Sequence, residues 1–276
     1  GWDSRPAEIM IAEAVKAAEK SEVVVAILGE ASESSGECSS ITNIELPANQ
    51  RELLKALLKT GKPVVMVLFT GRPLAITWEQ ENVPAILNVW FGGSEAGAAV
   101  ADVLFGDVVP SGKLTASFPR NTGQIPVFYN HKNTGRPLPE GQWFTKFLSN
   151  YLDVPNEPLY PFGYGLSYTS FSYSDLKLSN HTMKPGESID VSVKVTNTGK
   201  YDGKEVVQLY IRDMVGTTTR PVKELKGFQK IFLKKGETKE VKFTIDIEDL
   251  KFYNYDLDFV AEPGDFKVFT GGNSRD

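Results

Sequence analysis

The hydrophobic pattern of the chain changes period partway along, and the two patterns call for different architectures. Up to Phe105, amphipathic segments alternate with continuous apolar runs. Over Pro6 to Glu19, residues Ile11, Ala14, Val15 and Ala18 repeat at i, i+3, i+4 and i+7, which predicts a helix with Pro6 in its first turn. The run Glu22 to Leu28 (EVVVAIL) reads as a strand of the kind buried in a parallel sheet. A second helix is predicted over Leu46 to Leu58, opened by Pro47 and stopped by Gly61, with Leu54, Leu57 and Leu58 on one face. Pro63 to Phe69 and Pro84 to Trp90 are two more apolar strands, and Ser94 to Phe105 is a helix whose alanines permit close packing on the sheet. This alternation makes the first part α/β with a mostly parallel sheet.

From about Phe171 the period is two. Ile189, Val191, Val193 and Val195 face one way and Asp190, Ser192, Lys194 and Thr196 the other. Val207, Leu209 and Ile211 alternate likewise, as do Val241, Phe243 and Ile245, with turn signals at Lys184-Pro185-Gly186, Asn197-Thr198-Gly199, Lys235-Gly236 and Glu262-Pro263-Gly264. Short, evenly spaced, half-buried strands predict an antiparallel β-sandwich of immunoglobulin or fibronectin-III type, and the lack of a Cys-Trp-Cys pin favours the latter. The expected class is therefore α/β plus all-β. An α/β sandwich domain occupies 1–120, a Pro/Gly/aromatic strap and linker 121–170, and a fibronectin-III-like sandwich 171–276.

At 276 residues the chain has room for two cored domains. A net charge of −5 argues against nucleic acid or an anionic membrane as partner, and no apolar run nears the roughly 20 residues that span a bilayer. The single cysteine, Cys38, excludes an intrachain disulfide, and Gly1 is not a natural start, so the true N-terminus is expected to lie upstream.

Chemistry concentrates in the loop Gly29 to Ser40 (GEASESSGECSS), expected at the carboxyl end of the first strand, where open α/β sheets bind ligands. It offers Glu30, Glu33 and Glu37 as candidate acid/bases, with Gly36 freeing the backbone before Glu37. An acidic, serine-rich surface loop reads equally as plain solvated chain, and the residues alone do not choose among the carboxylates. In the strap, aromatics lie beside His131, Asn133 and Arg136, an arrangement suited to a sugar, whose C–H face stacks on rings while fixed polar groups read its hydroxyls. The competing reading is an extended strap packed for stability. Gly92-Gly93-Ser94 matches neither the dinucleotide nor the P-loop fingerprint and reads as a tight turn. No metal-ligand spacing appears, so no cofactor is expected.

The stretches EVVVAILGE (22–30), SGECS (35–39), GKPVVMVLFTGRPL (61–74), DVLFGDVVPSGKLTASFP (102–119), QIPVFYNHKNTGRP (124–137), LYPFGYGLS (159–167), VTNTG (195–199), RPVKELKG (220–227) and EPG (262–264) together resemble the C-terminal part of a family 3 glycoside hydrolase of the bacterial periplasmic β-glucosidase type. The resemblance implies an upstream (β/α)8 barrel, which alone takes about 250 residues and is absent from this chain. It implies that the nucleophilic aspartate sits on that barrel and that Glu37, in its Ser-Gly-Glu context, is the general acid/base. Ser35, Gly36, Asn133 and Arg136 then become substrate-binding candidates. The implied substrate is a β-linked oligosaccharide or β-glucoside, cleaved with retention from the non-reducing end, and the implied location periplasmic or secreted. Where relatives usually carry Arg-x-Asp the chain has Ile41-Thr42-Asn43, and where they often carry Ser-Arg-Tyr it has Ser149-Asn150-Tyr151, which bears on substrate preference. Two other readings stand beside this one. The first is a non-catalytic carbohydrate-binding or scaffolding module. The second is a stand-alone hydrolase pairing Glu37 with Glu30 or Glu33, disfavoured because one loop does not flank both faces of a sugar.

Overall fold

The computed structural model describes residues 4–139 and 141–276, so residues 1–3 and 140 lie outside it. The chain folds into two compact units, Gly1–Leu104 with Phe118–Pro126, and Phe105–Ser117 with Val127–Asp276. It therefore enters the second unit, returns to the first and leaves it again. From residue 127 on, the Pro/Gly/aromatic strap belongs to the same unit as the β-sandwich.

The first unit holds α1 (Ala7–Glu19), β1 (Val24–Gly29), α2 (Ala48–Leu58), β2 (Val64–Phe69), α3 (Thr77–Asn82), β3 (Ala85–Asn88) and α4 (Ala96–Phe105), whose last residue begins the second unit. Its sheet is parallel, in the order β1-β2-β3, with Val24 opposite Val64 and Val65 opposite Ala85. Apolar side chains on both faces of β2 bury Val64, Met66, Val67 and Leu68, as a central parallel strand requires. One face of β1 is closed by α2 and carries the buried Ala26 and Leu28; α1 packs on α2. The opposite face of β1 is open: Val25 is 46% and Ile27 66% exposed. The run expected to be buried is thus buried on one side only. Nor does α4 pack as closely as its alanines permit, since none of its residues is buried. The return segment 118–126 completes this core, with Phe118 1% exposed and its ring 5.6 Å from that of Trp90. Thr77 Oγ1 donates to the Arg120 carbonyl at 2.7 Å and ties the segment to α3.

The second unit contains two antiparallel sheets. One has the order β4 (Phe171–Leu178), β5 (Ile189–Asn197), β8 (Thr238–Ile245), and the other β11 (Phe266–Gly271), β6 (Gly203–Asp213), β7 (Glu224–Leu233). A short helix α5 (Ile247–Leu250) and a hairpin of β9 (Phe252–Tyr253) and β10 (Phe259–Val260) link β8 to β11. The period-two pattern does what it predicts: Val191, Val193, Val195, Val207, Leu209, Ile211, Val241, Phe243 and Ile245 form one core. The strap is packed against this sandwich. Tyr129 stacks on Phe162 at 4.5 Å and meets Tyr210 of β6 edge-on at 5.8 Å, while Leu114 N–H donates to Tyr164 C=O and Gly163 N–H to Leu114 C=O, 2.8 and 2.7 Å. Lys113 pairs with the buried Glu205 at 3.1 Å, and Glu205 also accepts from the Tyr173 hydroxyl at 2.9 Å. The architecture is the predicted α/β plus β-sandwich class. Among the described residues no helix is long and apolar enough to cross a membrane.

Candidate active site

The acidic loop leaves β1 at the carboxyl end of the sheet, and its root is fixed on both sides. Gly29 takes a φ of +137°, and a Cβ there would run into the Phe69 carbonyl, so only glycine lets β1 turn this close to β2. On the edge away from β2, the Gln50 side chain acts as a surrogate strand: its Oε1 accepts from Gly29 N–H and its Nε2 donates to Gly29 C=O, both at 2.8 Å. On the other side Glu30 N–H donates to Phe69 C=O at 2.9 Å.

Three environments separate the carboxylates. Glu30 is 4% exposed at its side chain and accepts from Thr70 Oγ1 at 2.8 Å and Gly71 N–H at 3.1 Å, with Arg72 Nε 3.0 Å away. It is a buried anchor, paired with a cation. Glu33 lies in a single 3-10 turn, Ser32–Ser34, where its own backbone N–H and then the Ser32 hydroxyl hold its carboxyl below the ordinary glutamate range. Glu37 follows and, like Glu33, is exposed. Gly36 does not supply the left-handed residue there; Cys38 does, with φ +59°, and Ser39 N–H closes the turn on Gly36 C=O at 3.2 Å. Cys38 is exposed and free.

Beside the loop, a cleft of about 410 Å³ is lined by Glu30, Ser34, Ile41, Asn43, Arg51 and Lys55, among others. Ile41 and Asn43, from the stretch read above as bearing on substrate preference, are therefore part of its wall. Ser35, Gly36 and Glu37 are contiguous in this unit. Asn133 and Arg136 belong to the other, where the Asn133 side chain accepts from Gly135 N–H at 3.0 Å in a local turn and the Arg136 carbonyl accepts from Ser149 N–H at 2.8 Å. Asn133 lines a second cleft of about 520 Å³ with Phe128, Tyr129, His131 and Arg212. The residues that sequence reasoning passed over are Thr70, Arg72 and Gln50. Their signal was position: Thr70-Gly71-Arg72 follows β2 directly, at the same end of the sheet as the acidic loop. Among the described residues no cluster of His, Cys, Asp or Glu is placed to hold a metal ion.

A parallel α/β unit with a carboxylate-bearing loop at its strand ends and a fibronectin-type sandwich make up a two-module segment. Residues 5–168 match the model of the glycosyl hydrolase family 3 C-terminal domain and residues 205–274 that of the fibronectin type III-like domain. The chain belongs to glycosyl hydrolase family 3. It is 55% identical over 273 residues to the periplasmic beta-glucosidase of Salmonella typhimurium, covering 99% of this chain and 35% of that protein. It is 46% identical to a beta-xylosidase of Formosa agariphila, over 95% of this chain and 35% of that protein. The crystal structure of a beta-glucosidase from Listeria innocua in complex with glucose superposes with a TM-score of 0.94 at 45% identity, covering 99% of this chain and 38% of that one. The chain thus spans about a third of the length of the relatives it matches, as their C-terminal part.

Proposed function

We propose that this chain is the C-terminal segment of a retaining, exo-acting β-glucosidase, periplasmic or secreted, in which Glu37 is the general acid/base. The nucleophilic aspartate is assigned to a (β/α)8 barrel N-terminal to it, and Ser35, Gly36, Asn133 and Arg136 to substrate contacts. The observation that carries the reading is the sorting of the loop: Glu30 is consumed by Thr70, Gly71 and Arg72, Glu33 is tied into the 3-10 turn, and Glu37 is exposed in the Ser-Gly-Glu stretch that the family resemblance singles out. Retaining hydrolysis needs two carboxyl groups about 5–5.5 Å apart across the glycosidic bond. As the aspartate bonds to the anomeric carbon, the C–O bond to the aglycone breaks and Glu37 gives its proton to the departing oxygen. Glu37 then takes a proton from the water that displaces the aspartate. The names of the matched relatives support glucose as the sugar, with xylose the nearest competitor.

The isolated chain is expected to leave aryl β-glucosides intact, while the full-length enzyme cleaves them. In that enzyme Glu37→Gln should lose roughly 10²–10⁴-fold on substrates with poor leaving groups, which need the proton, and less in the first step on those with good ones. Added azide should restore turnover of the latter, because an anion needs no general base. Equal losses for all leaving groups with no azide effect would assign the acid/base to another residue, and Glu37-dependent turnover by the isolated chain would remove the barrel from the scheme.

A further inference from the structure

We infer that Arg72, seated on Glu30, is the positioning residue of the acid/base loop, clamping its first half so that Glu37 projects from a fixed base. The inference rests on the assignment of Glu37 above for its catalytic meaning, but its structural content is independent of it. The Arg72 guanidinium spans the root and the crown of the loop. Nε faces Glu30 Oε1 at 3.0 Å, and the terminal Nη2 donates to the Ser34 carbonyl at 2.7 Å. Arg72 is itself held in place, because its N–H donates to Thr70 Oγ1 at 3.2 Å, and the single Thr70 hydroxyl proton is shared between Glu30 Oε2 and the Arg72 carbonyl, 2.8 and 2.6 Å away. The planar fork makes both contacts at once, and a lysine ammonium on a flexible stem does not reproduce that geometry.

Gly71 completes the seat. A Cβ at that position would lie 2.6 and 2.8 Å from the Phe91 ring and 2.9 Å from Ser35 Oγ, so the absent side chain is what lets Ser35 settle against the β2–α3 connection. The fasteners stop there. Between Gly36 and Ser40 the backbone is linked through Ser39 N–H to Gly36 C=O, and the residues are exposed. Glu37 therefore sits two residues beyond a clamped point, on a short turn whose direction Ser34 and Ser35 set. A carboxyl that must meet the glycosidic oxygen at hydrogen-bond distance depends on such a base, since misplacement on the ångström scale costs heavily in rate.

Three variants test this: Arg72→Lys, Arg72→Ala, and Arg72→Ala with Glu30→Gln, the last to avoid stranding a buried carboxylate. In this chain, amide hydrogen exchange should accelerate roughly tenfold or more at Ser34 and Ser35, whose N–H groups donate to the Ala31 and Ser32 carbonyls, in all three variants, with β1, β2 and α2 unchanged. In the full-length enzyme, the double variant should lose roughly tenfold in kcat on a poor leaving group, much less on a good one, with KM nearly constant. Unchanged exchange at Ser34 and Ser35 would overturn the clamp. Faster exchange with losses independent of leaving group would overturn its role in aiming the acid. If Glu37→Gln itself showed no leaving-group dependence, the assignment of Glu37 would fall, and the exchange result would still decide whether Arg72 orders the loop.

Discussion

Tyr160 shows how a single side chain contributes to the alkaline sensitivity of the second unit. Its ring stacks on Tyr164 with centroids 5.3 Å apart, and burial, then the charge of the second phenol, pushes its pKa up to about 12. Tyr173 and Tyr210 are raised for the same first reason, burial, reinforced in Tyr173 by the adjacent Glu205 carboxylate and in Tyr210 by Tyr129. An unfolded tyrosine ionises near about 10. Between that value and the folded one, the unfolded chain has released a proton that the folded chain still holds. This contribution to stability is fully present below pH ~10 and is lost as pH rises toward ~12. Absorbance titration at 295 nm should leave these three phenols protonated after the exposed tyrosines have ionised, until the unit unfolds. Tyr160→Phe should lessen the fall in denaturation midpoint between pH 9 and 11. Ionisation of all tyrosines in one step near pH 10 in the folded chain would contradict this.

At the scale of elements, α2 and α3 are coupled by a charge pair that no local pattern announces. Glu79 is 0% exposed, and Arg51 Nε lies 2.8 Å from its Oε1, while a second Arg51 nitrogen reaches Glu45 at 3.4 Å. Removing Arg51 leaves Glu79 buried without its cation, so Arg51→Ala should cost about 3–5 kcal/mol in urea denaturation. Replacing the pair by Arg51→Met with Glu79→Leu should recover most of that loss, and a double variant as unstable as the single one would show that shape, not charge, governs the contact. The same pair explains where sequence reasoning stopped. The helix at Leu46 to Leu58 was legible from Pro47 and the leucine face, and starts one residue after that proline. The helix Thr77–Asn82 was not, because its buried residue is a glutamate whose partner is 28 positions away. The loop behaves alike. Its three carboxylates and its place at a strand end were readable, yet what distinguishes them is Arg72, which reaches Ser34 across 38 positions. Periodicity records burial against bulk solvent; it carries no record of which distant side chain engages a given charge.

For the whole molecule, the outer edge of β1 and its bare face leave apolar surface open on the first unit, with Val25 and Ile27 on the face and Gln50 closing only the last residue of the edge. Exposed apolar edges pair with one another. Sedimentation of this chain should therefore show concentration-dependent self-association that Ile27→Lys suppresses, and a strictly monomeric parent chain would refute the idea. The interleaved path between the two units bears on how the protein is made. A chain emerging from the ribosome delivers residues 105–117 before 118–126, although the later segment belongs to the earlier unit. The first unit closes only when Phe118 has reached Trp90, and by then the segment carrying Lys113 is already tethered at both ends. Its partner Glu205 is 205 − 113 = 92 residues further along, roughly 5–20 s away at common elongation rates. For that interval the first unit holds out a loop addressed to a sandwich that has not yet been synthesised.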